Sequence, residues 1–417
     1  MKTGKPKGGQ QGHKGFHRAS VPTEMVDHLF KHYPSKCSNC SKELGADALS
    51  KSEPVRHQVW EIPPVKAEVT EHQLFRACCP DCGKVSLAEL PAGGSTGAFG
   101  PRLAAMASLL VGQYRMSRRQ CESLLRDGFG VAVSLGSIKA LEGLISESLS
   151  GPVQEIHAAL QQAPVVNADD TGWKEANVNA VLWNANTPDI AIFRITRKKD
   201  HESARGLLGE NFDGILGVDR ATTYSFQGVK KTQSCWAHLD RHFQRMEDRG
   251  GESGPIGKWG KAEVDRFFEA WHGFKDGKFS RPELQLAIIP IRARIARLLA
   301  RGSQCGESGT DKTVHAKTAK TCVNILKILP AFWTCCFYEG VEPTNNSSEQ
   351  ALRHPVLWRM TSYGTQSEAG SRFVERMLST VETCRRQGRN VLDFLTKSVS
   401  ALIQGLPAPS LLPTPTG

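Results

Sequence analysis

The sequence predicts a multi-domain α/β protein in which a mixed sheet carries helices and is preceded by a metal-binding domain and a helical domain. Three observations support this fold class. The chain has 417 residues, more than one hydrophobic core usually spans. Short apolar runs and helical periodicity alternate over residues 163–245, which is typical of a sheet with helices packed on it. Two Cys-x-x-Cys pairs precede that region.

Composition indicates a folded, basic protein. Hydrophobic residues make up 39% and charged residues 23%, the ordinary globular range. The net charge of +11 favours a polyanionic partner such as nucleic acid, while a basic protein without such a partner is the alternative. The chain shows no apolar run that would cross a bilayer and no secretion signal. We therefore expect no membrane partner, a cytoplasmic location, and 12 cysteines present as thiols or metal ligands.

Residues 1–25 are predicted to form a basic, glycine-rich arm. The first 20 residues contain no acidic residue and too little apolar surface to fold alone. Such a segment suits a flexible arm that lies along DNA phosphates, and a solvated tail is the alternative. The candidate DNA contacts in the arm are Lys5, Lys7, Lys14 and Arg18.

Residues 26–92 are predicted to form a zinc-binding domain. Two Cys-x-x-Cys pairs, separated by 38 residues, each offer two converging thiolates to a tetrahedral ion. A site with four thiolates has no open position, so the Zn²⁺ is expected to be structural. Between the pairs, the alternation in Val65–Val69 predicts a strand. The candidate ligands are Cys37, Cys40, Cys79 and Cys82, with Cys78 as an alternative to Cys79.

Residues 100–152 are predicted to form a helical domain of three short helices. Apolar residues recur at helical spacing from Leu103, and further helices are expected over Arg118–Arg126 and Ser137–Leu149. Three helices with a glycine break are compatible with a helix-turn-helix. The last helix offers Lys139 against two glutamates, however, which favours packing over reading a DNA groove.

Residues 160–405 are predicted to form the main α/β domain. Its helices include an insertion at about 246–343 and a helical stretch over 346–404, and a Pro-rich tail follows at 406–417. Three strands, a short helix and a fourth strand predict a mixed sheet. These elements are the strands 164–168, 178–185, 190–196 and 214–218, with the helix over 200–208 and Asp200 as its N-cap.

Carboxylates follow the predicted strands. Asp169 and Asp170 end the first strand, Asp219 follows the fourth, and Glu349 falls in the first turn of a helix capped by Asn and Ser residues. Three carboxylates in one place need a cation, and oxygen ligands suit two Mg²⁺ or Mn²⁺ ions acting on a phosphodiester. Ordinary caps and surface charges are the alternative, and alternation does not decide between Asp169 and Asp170.

Several segments, in order, resemble the insertion sequence 66 family of bacterial transposases, from about residue 8 to residue 395. The basic start and the cysteine pairs are similar to the family's entry segment and zinc-binding domain. Asp169-Asp-Thr-Gly-Trp173 resembles its Asp-Glu-Thr-Gly-Trp signature. The other similar segments are Gly8–Gly15, Asp219–Tyr224, Cys235-Trp-Ala-His-Leu239 with Arg241, Thr344–Glu349 with Leu352-Arg353, Gly364 and Glu382–Cys384.

The resemblance implies a ribonuclease H-like core that cuts and joins double-stranded DNA at the element's terminal repeats and at a target. It implies that Asp169, Asp219 and Glu349 are the catalytic acids that hold two Mg²⁺ or Mn²⁺ ions. Asp219 and Glu349 lie 130 positions apart, which implies a helical insertion. His238 and Arg241 are candidate DNA contacts, with a structural histidine as the alternative. A homodimer or larger assembly on DNA, and accessory proteins of the element, are further expected partners.

The chain also departs from the family pattern. Asp170 replaces a glutamate, Gln350 stands where an arginine is usual, and Trp358-Arg-Met360 is less basic than the family segment. These changes leave open an inactive, transposase-derived DNA-binding protein. A metal-dependent nuclease without strand joining is a third hypothesis. The other cysteines and two tryptophans are predicted to pack in cores: Cys121, Cys235, Cys305, Cys322, Cys335, Cys336, Cys384, Trp183 and Trp236. Trp173 is also predicted to pack, and stacking on a flipped base near the cut site is the alternative.

Overall fold

The computed structural model describes residues 18–45, 48, 52–91, 97–306 and 314–413. Lys5, Lys7 and Lys14 of the predicted arm lie outside the described residues. Contacts divide the chain into two compact units, residues 1–65 and 66–417. The described part of the first unit contains a 3-10 turn at Thr23–Met25 and an isolated bridge between Lys36 and Glu43.

The second unit contains seven strands and twelve helices among its described residues. The strands are β1 (Arg76–Cys78), β2 (Val85–Leu87), β3 (Val165–Glu175), β4 (Val178–Asn186), β5 (Ala191–Thr196), β6 (Ile215–Val218) and β7 (Thr232–Ser234). The helices are α1 (Pro101–Gly112), α2 (Arg118–Phe129), α3 (Leu135–Ser148), α4 (Ser150–Gln161), α5 (His201–Leu208), α6 (Trp236–Arg249), α7 (Ser253–Lys275), α8 (Arg281–Gly302), α9 (Val314–Ile328), α10 (Asn346–Ser362), α11 (Glu368–Arg386) and α12 (Val391–Ile403).

Five strands form one mixed sheet in the order β5-β4-β3-β6-β7. β3, β4 and β5 pair antiparallel, whereas β3 pairs parallel with β6 and β6 pairs parallel with β7. This arrangement confirms the predicted mixed α/β class. Asp200 accepts a hydrogen bond from the Ser203 N–H at 2.9 Å, which confirms it as the N-cap of α5.

The outer edge of the sheet is covered by polar side chains of α11. The backbone N–H groups of alternate residues in β5 donate to Thr383, Ser379 and Glu375 of α11. These acceptors are spaced four residues apart, so they lie along one face of the helix. The edge strand is thereby satisfied instead of being open to pairing with another chain.

Two hydrophobic clusters fill the second unit. The first joins the sheet to the predicted helical region, because α1 and α3 pack against α11 and α12. The second lies within the helices from Trp236 to Val341 and centres on stacked aromatic rings. Trp236 stacks on Phe267 with ring centroids 3.7 Å apart, and its indole N–H donates to the Phe332 carbonyl at 2.6 Å.

Close packing of α6 on α7 depends on two glycines. A Cβ at Gly257 would lie 2.2 Å from the Glu247 N, and a Cβ at Gly260 would lie 2.2 Å from the Phe243 ring. Real Cβ atoms do not approach so closely, so a side chain at either position would force the helices apart. This contact fixes α6, whose N-terminal turn lies at the candidate site.

Two local predictions differ from the structure, and one strand was not predicted. Val65–Val69 forms no strand: Val65 and Val69 are exposed, and none of the described strands pairs with this segment. β3 runs to Glu175, so Asp169 and Asp170 lie inside the strand instead of at its end. β7 was not anticipated from the sequence. No helix in the described ranges is both long and apolar enough to cross a membrane.

Candidate active site

The parallel pairing of β3 and β6 places two aspartates at equivalent positions. Asn167 pairs with Gly217, so Asp169 and Asp219 each follow two residues later on adjacent strands. β6 ends at Val218, whereas β3 continues against β4 alone. The two carboxylates therefore lie where the parallel pair opens. Gly217 is required here, because a Cβ would lie 2.2 Å from the Asn167 side-chain oxygen.

The strand places Asp169 and Asp170 on opposite faces of the sheet. Asp170 pairs with Lys199 at 2.6 Å, and only 7% of its side chain is exposed. Asp169 makes no ion pair with any described residue, and its Oδ1 accepts the Asp170 N–H at 2.8 Å. The two neighbours thus differ in role: one carboxylate is neutralised within the protein and the other is available.

Glu349 is carried to the sheet by the first turn of α10. The Asn345 side chain donates to the Ala168 carbonyl at 2.9 Å, next to Asp169 in β3. The Asn186 side chain, at the end of β4, donates to Ser348 Oγ at 2.7 Å. These buried amides and hydroxyls attach the start of α10 to two strands, which confirms the predicted location of Glu349 in a first helical turn.

Burial and charge act together on Asp169. Burial is the largest cause that raises the pKa of the Asp169 carboxyl, to about 7. The charges of Asp219 and Glu349 act in the same direction, so the three candidate acids lie near enough to repel one another. Two sequence-predicted aspartates and the glutamate are therefore brought together. Their oxygen donors and mutual repulsion suit a divalent cation such as Mg²⁺ or Mn²⁺.

The first turns of α6 bring His238 and Arg241 beside Glu349. Arg241 Nη2 lies 3.1 Å from Glu349 Oε1, and His238 Nδ1 lies 3.7 Å from the same oxygen. Burial, and then the charge of Arg241, lowers the pKa of His238. Without a metal ion, Arg241 therefore neutralises Glu349, and the largely uncharged imidazole of His238 lies next to this carboxylate.

Cys235 joins His238 and Glu349 in a compact group whose potential ligand atoms lie within 4.8 Å of one another. The Cys235 thiol is buried and its sulfur accepts the Asn345 N–H at 3.3 Å. Burial raises the pKa of this thiol, which keeps it protonated and makes it a poor metal ligand. The hydrogen bond indicates that Cys235 orients the start of α10, in agreement with its predicted core position.

The two Cys-x-x-Cys pairs form turns of the same local shape. In each, the first cysteine's N–H donates to the residue five positions on, and its carbonyl accepts from the residue four positions on. Backbone N–H groups of the second cysteine and its neighbour lower the pKa of Cys37 and of Cys79. Cys78 belongs to β1, and its thiol donates to the Gly83 carbonyl of the second turn at 3.4 Å.

The remaining predicted residues lie elsewhere. Arg18, in the first unit, is exposed and its guanidinium lies 5.1 Å from the Trp60 ring centroid. Trp173 is 3% exposed and donates to Thr365, so it packs in the core. The other cysteines predicted to lie in cores, and Trp183 and Trp236, are buried as expected.

Three basic residues near the acids were missing from the sequence interpretation: Arg220, His242 and Arg245. Arg220 directly follows Asp219, and the other two lie on the same face of α6 as His238. Burial is the largest cause that lowers the pKa of His242, to about 4, and the charges of Arg220 and Arg245 lower it further. The three side chains therefore lie near enough for their charges to interact. The spacing of positions 238, 241, 242 and 245 is a helical face and was the available sequence signal.

Comparison with known proteins gives one family. Residues 96–372 match the model described as Transposase IS66 family. An uncharacterized protein, y4qI, of Sinorhizobium fredii is 27% identical over 240 residues, which cover 54% of this chain and 42% of that protein. Vitamin B12-dependent ribonucleotide reductases of Streptomyces avermitilis and Streptomyces coelicolor are 26% identical over 133 residues, 31% of this chain and 13% of each reductase. The chain thus spans less than half the length of these relatives.

Proposed function

The chain belongs to the IS66 family of transposases, and we propose that it cuts double-stranded DNA at the terminal repeats of its element and joins the ends to a target. Membership of the family implies a DNA-processing enzyme. The five-stranded sheet with its helices is proposed to be the ribonuclease H-like core. The observation that carries the proposal is geometric: the parallel register of β3 and β6 places Asp169 beside Asp219, and the Asn345–Ala168 hydrogen bond attaches the start of α10, which carries Glu349, to the same strand.

Asp169, Asp219 and Glu349 are proposed to hold two Mg²⁺ or Mn²⁺ ions. The donor set supports this assignment, since it offers only carboxylate oxygens and leaves both of its aspartates without an ion pair among the described residues. When bound, such ions make a water or a 3′-hydroxyl a better nucleophile and stabilise the leaving oxygen of an in-line displacement.

The chain's own residues orient these acids. The Asp170 N–H holds one oxygen of Asp169, and the Ala221 N–H holds one oxygen of Asp219 at 2.7 Å. Each carboxylate is thereby fixed while its second oxygen stays available. Arg241 is proposed to release Glu349 and to contact a DNA phosphate when metal is bound, since one guanidinium can serve either partner.

The N-terminal residues are proposed to help bind DNA. The turns at Cys37 and Cys79 have the same backbone hydrogen bonds, which supports zinc binding at each cysteine pair. The proposed ligands are Cys37, Cys40, Cys79 and Cys82. The structural role of zinc follows from an all-thiolate set. Lys5, Lys7, Lys14 and Arg18 are proposed to contact phosphates along the duplex. Assembly as a homodimer or larger complex on two DNA ends, and a need for accessory proteins, remain predictions from the family resemblance.

Cleavage of labelled terminal-repeat DNA tests the proposal. The native protein is expected to cut with Mg²⁺ and to be inactive with EDTA, while Asp219→Ala is expected to bind the DNA without cutting it. Asp276→Ala is the matched control, since it removes a carboxylate whose side chain is 60% exposed on the helical insertion. This control should cut like the native protein.

Each other outcome has a defined meaning. Equal cleavage by the native protein and Asp219→Ala would show that the assigned acids are wrong. Binding without cleavage by all three proteins would favour an inactive DNA-binding descendant. Cleavage without any joined product would favour a nuclease.

A further inference from the structure

α6 carries several basic and imidazole side chains along one face. His238, Arg241, His242 and Arg245 occupy positions i, i+3, i+4 and i+7, which form one helical face. On another side of the helix, Glu247 pairs with Lys261 of α7 at 3.1 Å. The basic side faces the candidate acids, because Arg241 contacts Glu349 there. The helix therefore presents positive charge to the region through which a cut strand must pass.

Arg220 adds a half-buried guanidinium to this face. It comes directly after Asp219, and its Nε is shielded from solvent without a hydrogen-bond partner among the described residues. A buried donor on a charged group is costly to leave unpaired, so this arginine is arranged for a ligand rather than for stability.

Neither Arg220 nor Arg245 forms an ion pair within the described part of the chain. The acid that acts on Arg220 is Asp219, which is itself a candidate metal ligand. Burial, and to a smaller extent the charges of the two arginines, lowers the pKa of His242 to about 4. At neutral pH its imidazole is therefore an uncharged hydrogen-bonding group. What would relieve the repulsion between the arginines is an anion.

Resting on the proposed function, we propose that Arg220, His242 and Arg245 form a phosphate pocket that binds one phosphodiester of the cut strand beside the three acids. A phosphodiester suits the pocket because its oxygens accept from guanidinium and imidazole donors at once. Its single negative charge offsets part of the excess positive charge. By fixing one phosphate at a set distance from the acids, the pocket determines which neighbouring bond is cut.

Methylphosphonate substitution tests the pocket. Binding of the full-length protein to a terminal-repeat duplex is measured in buffer without Mg²⁺ or Mn²⁺, with single phosphates near the cut replaced in turn by neutral methylphosphonates. The native protein is expected to lose about tenfold in affinity at one position, the loss typical of one charge-assisted hydrogen bond. Arg245→Gln is expected to bind the unmodified duplex about tenfold more weakly, and to lose nothing further when that phosphate is replaced.

Arg297→Gln is the matched control. Arg297 is exposed on α8, where its Nε donates only to the Ala293 carbonyl, so the variant removes the same charge away from the pocket. It should respond to the methylphosphonates as the native protein does. Arg245 is also exposed, and retention of the native unfolding midpoint checks that its variant folds. For Arg245→Gln, the slope of log affinity against log salt should decrease by about 0.9.

Two results would overturn the pocket. One is an equal response of the native protein and Arg245→Gln to every methylphosphonate. The other is an affinity loss in Arg245→Gln no larger than that in Arg297→Gln. Because binding is measured without Mg²⁺ or Mn²⁺, the result does not depend on whether the three acids are correctly assigned. A native protein that binds no terminal-repeat DNA would overturn both proposals.

Discussion

Asp169→Asn separates stability from activity at the candidate site. The amide keeps the shape of the side chain and an oxygen that accepts the Asp170 N–H, but it carries no charge. Burial and then neighbouring charges raise the pKa of Asp169 from 3.8 to about 7, so the ionised carboxylate destabilises the folded protein. We expect the variant to be more stable than the native protein without metal, and unable to cut DNA.

The magnitude and its sign follow from the pKa. Each tenfold change in an ionisation constant corresponds to about 1.4 kcal/mol, so a pKa raised from 3.8 to about 7 corresponds to about 4 kcal/mol at pH 8. Below pH 3.8 both states hold the proton and the penalty is absent. As pH rises, the unfolded chain ionises first and the native protein loses stability, until the loss is complete above about pH 7. At pH 5 the difference is about 2 kcal/mol.

Urea unfolding at pH 5 and pH 8, in buffer without added Mg²⁺ or Mn²⁺, measures this difference. Asp276→Asn is the control, because its exposed carboxylate should leave the free energy of unfolding unchanged at both values. Added Mg²⁺ at ten times its Kd should stabilise the native protein by about 1.4 kcal/mol and Asp169→Asn much less. A variant no more stable than the native protein at pH 8 would refute the electrostatic account of the site.

Two further substitutions probe how the site is supported. Ser348→Ala leaves one of the two amide N–H groups of the buried Asn186 without an acceptor, while the other still donates to Asn184. We expect the variant to lower the free energy of unfolding by about 1–3 kcal/mol and to slow cleavage, measured in parallel with the native protein. Trp236→Ala removes the ring stacked on Phe267, and we expect urea unfolding to show a loss of about 3–5 kcal/mol; unchanged stability would mean that this aromatic cluster does not hold α6.

Periodic apolar residues made most of the main elements predictable. β4, β5, β6 and α5 lie within one or two residues of their predicted bounds, because each has a clear apolar pattern and a turn or cap at its end. The Asn and Ser residues before Glu349 predicted its position in the first turn of a helix. Family resemblance then supplied the grouping of the three acids, which local patterns do not contain.

β7 shows why polar strands escape such reasoning. Its sequence, Thr232-Gln-Ser234, contains no apolar residue, yet Gln233 is 1% exposed. The Gln233 amide donates to the Phe332 carbonyl and accepts the Cys335 N–H at 2.7 Å, so long-range hydrogen bonds make its burial tolerable. Val65–Val69 is the opposite case. Its alternating pattern suits a strand, but a strand forms only against a partner, and no described strand pairs with this segment.

The choice between Asp169 and Asp170 depends on a residue distant in sequence. Alternation places the two carboxylates on opposite faces but does not say which is free. Lys199, 29 positions after Asp170, neutralises that side chain, while Arg241 neutralises Glu349. The aspartates that remain without an ion pair among the described residues are Asp169 and Asp219, which are the two matched by the parallel register. Without a metal ion, the protein thus pairs Asp170 and Glu349 with basic side chains and leaves Asp169 and Asp219 without an ion pair where β3 and β6 separate.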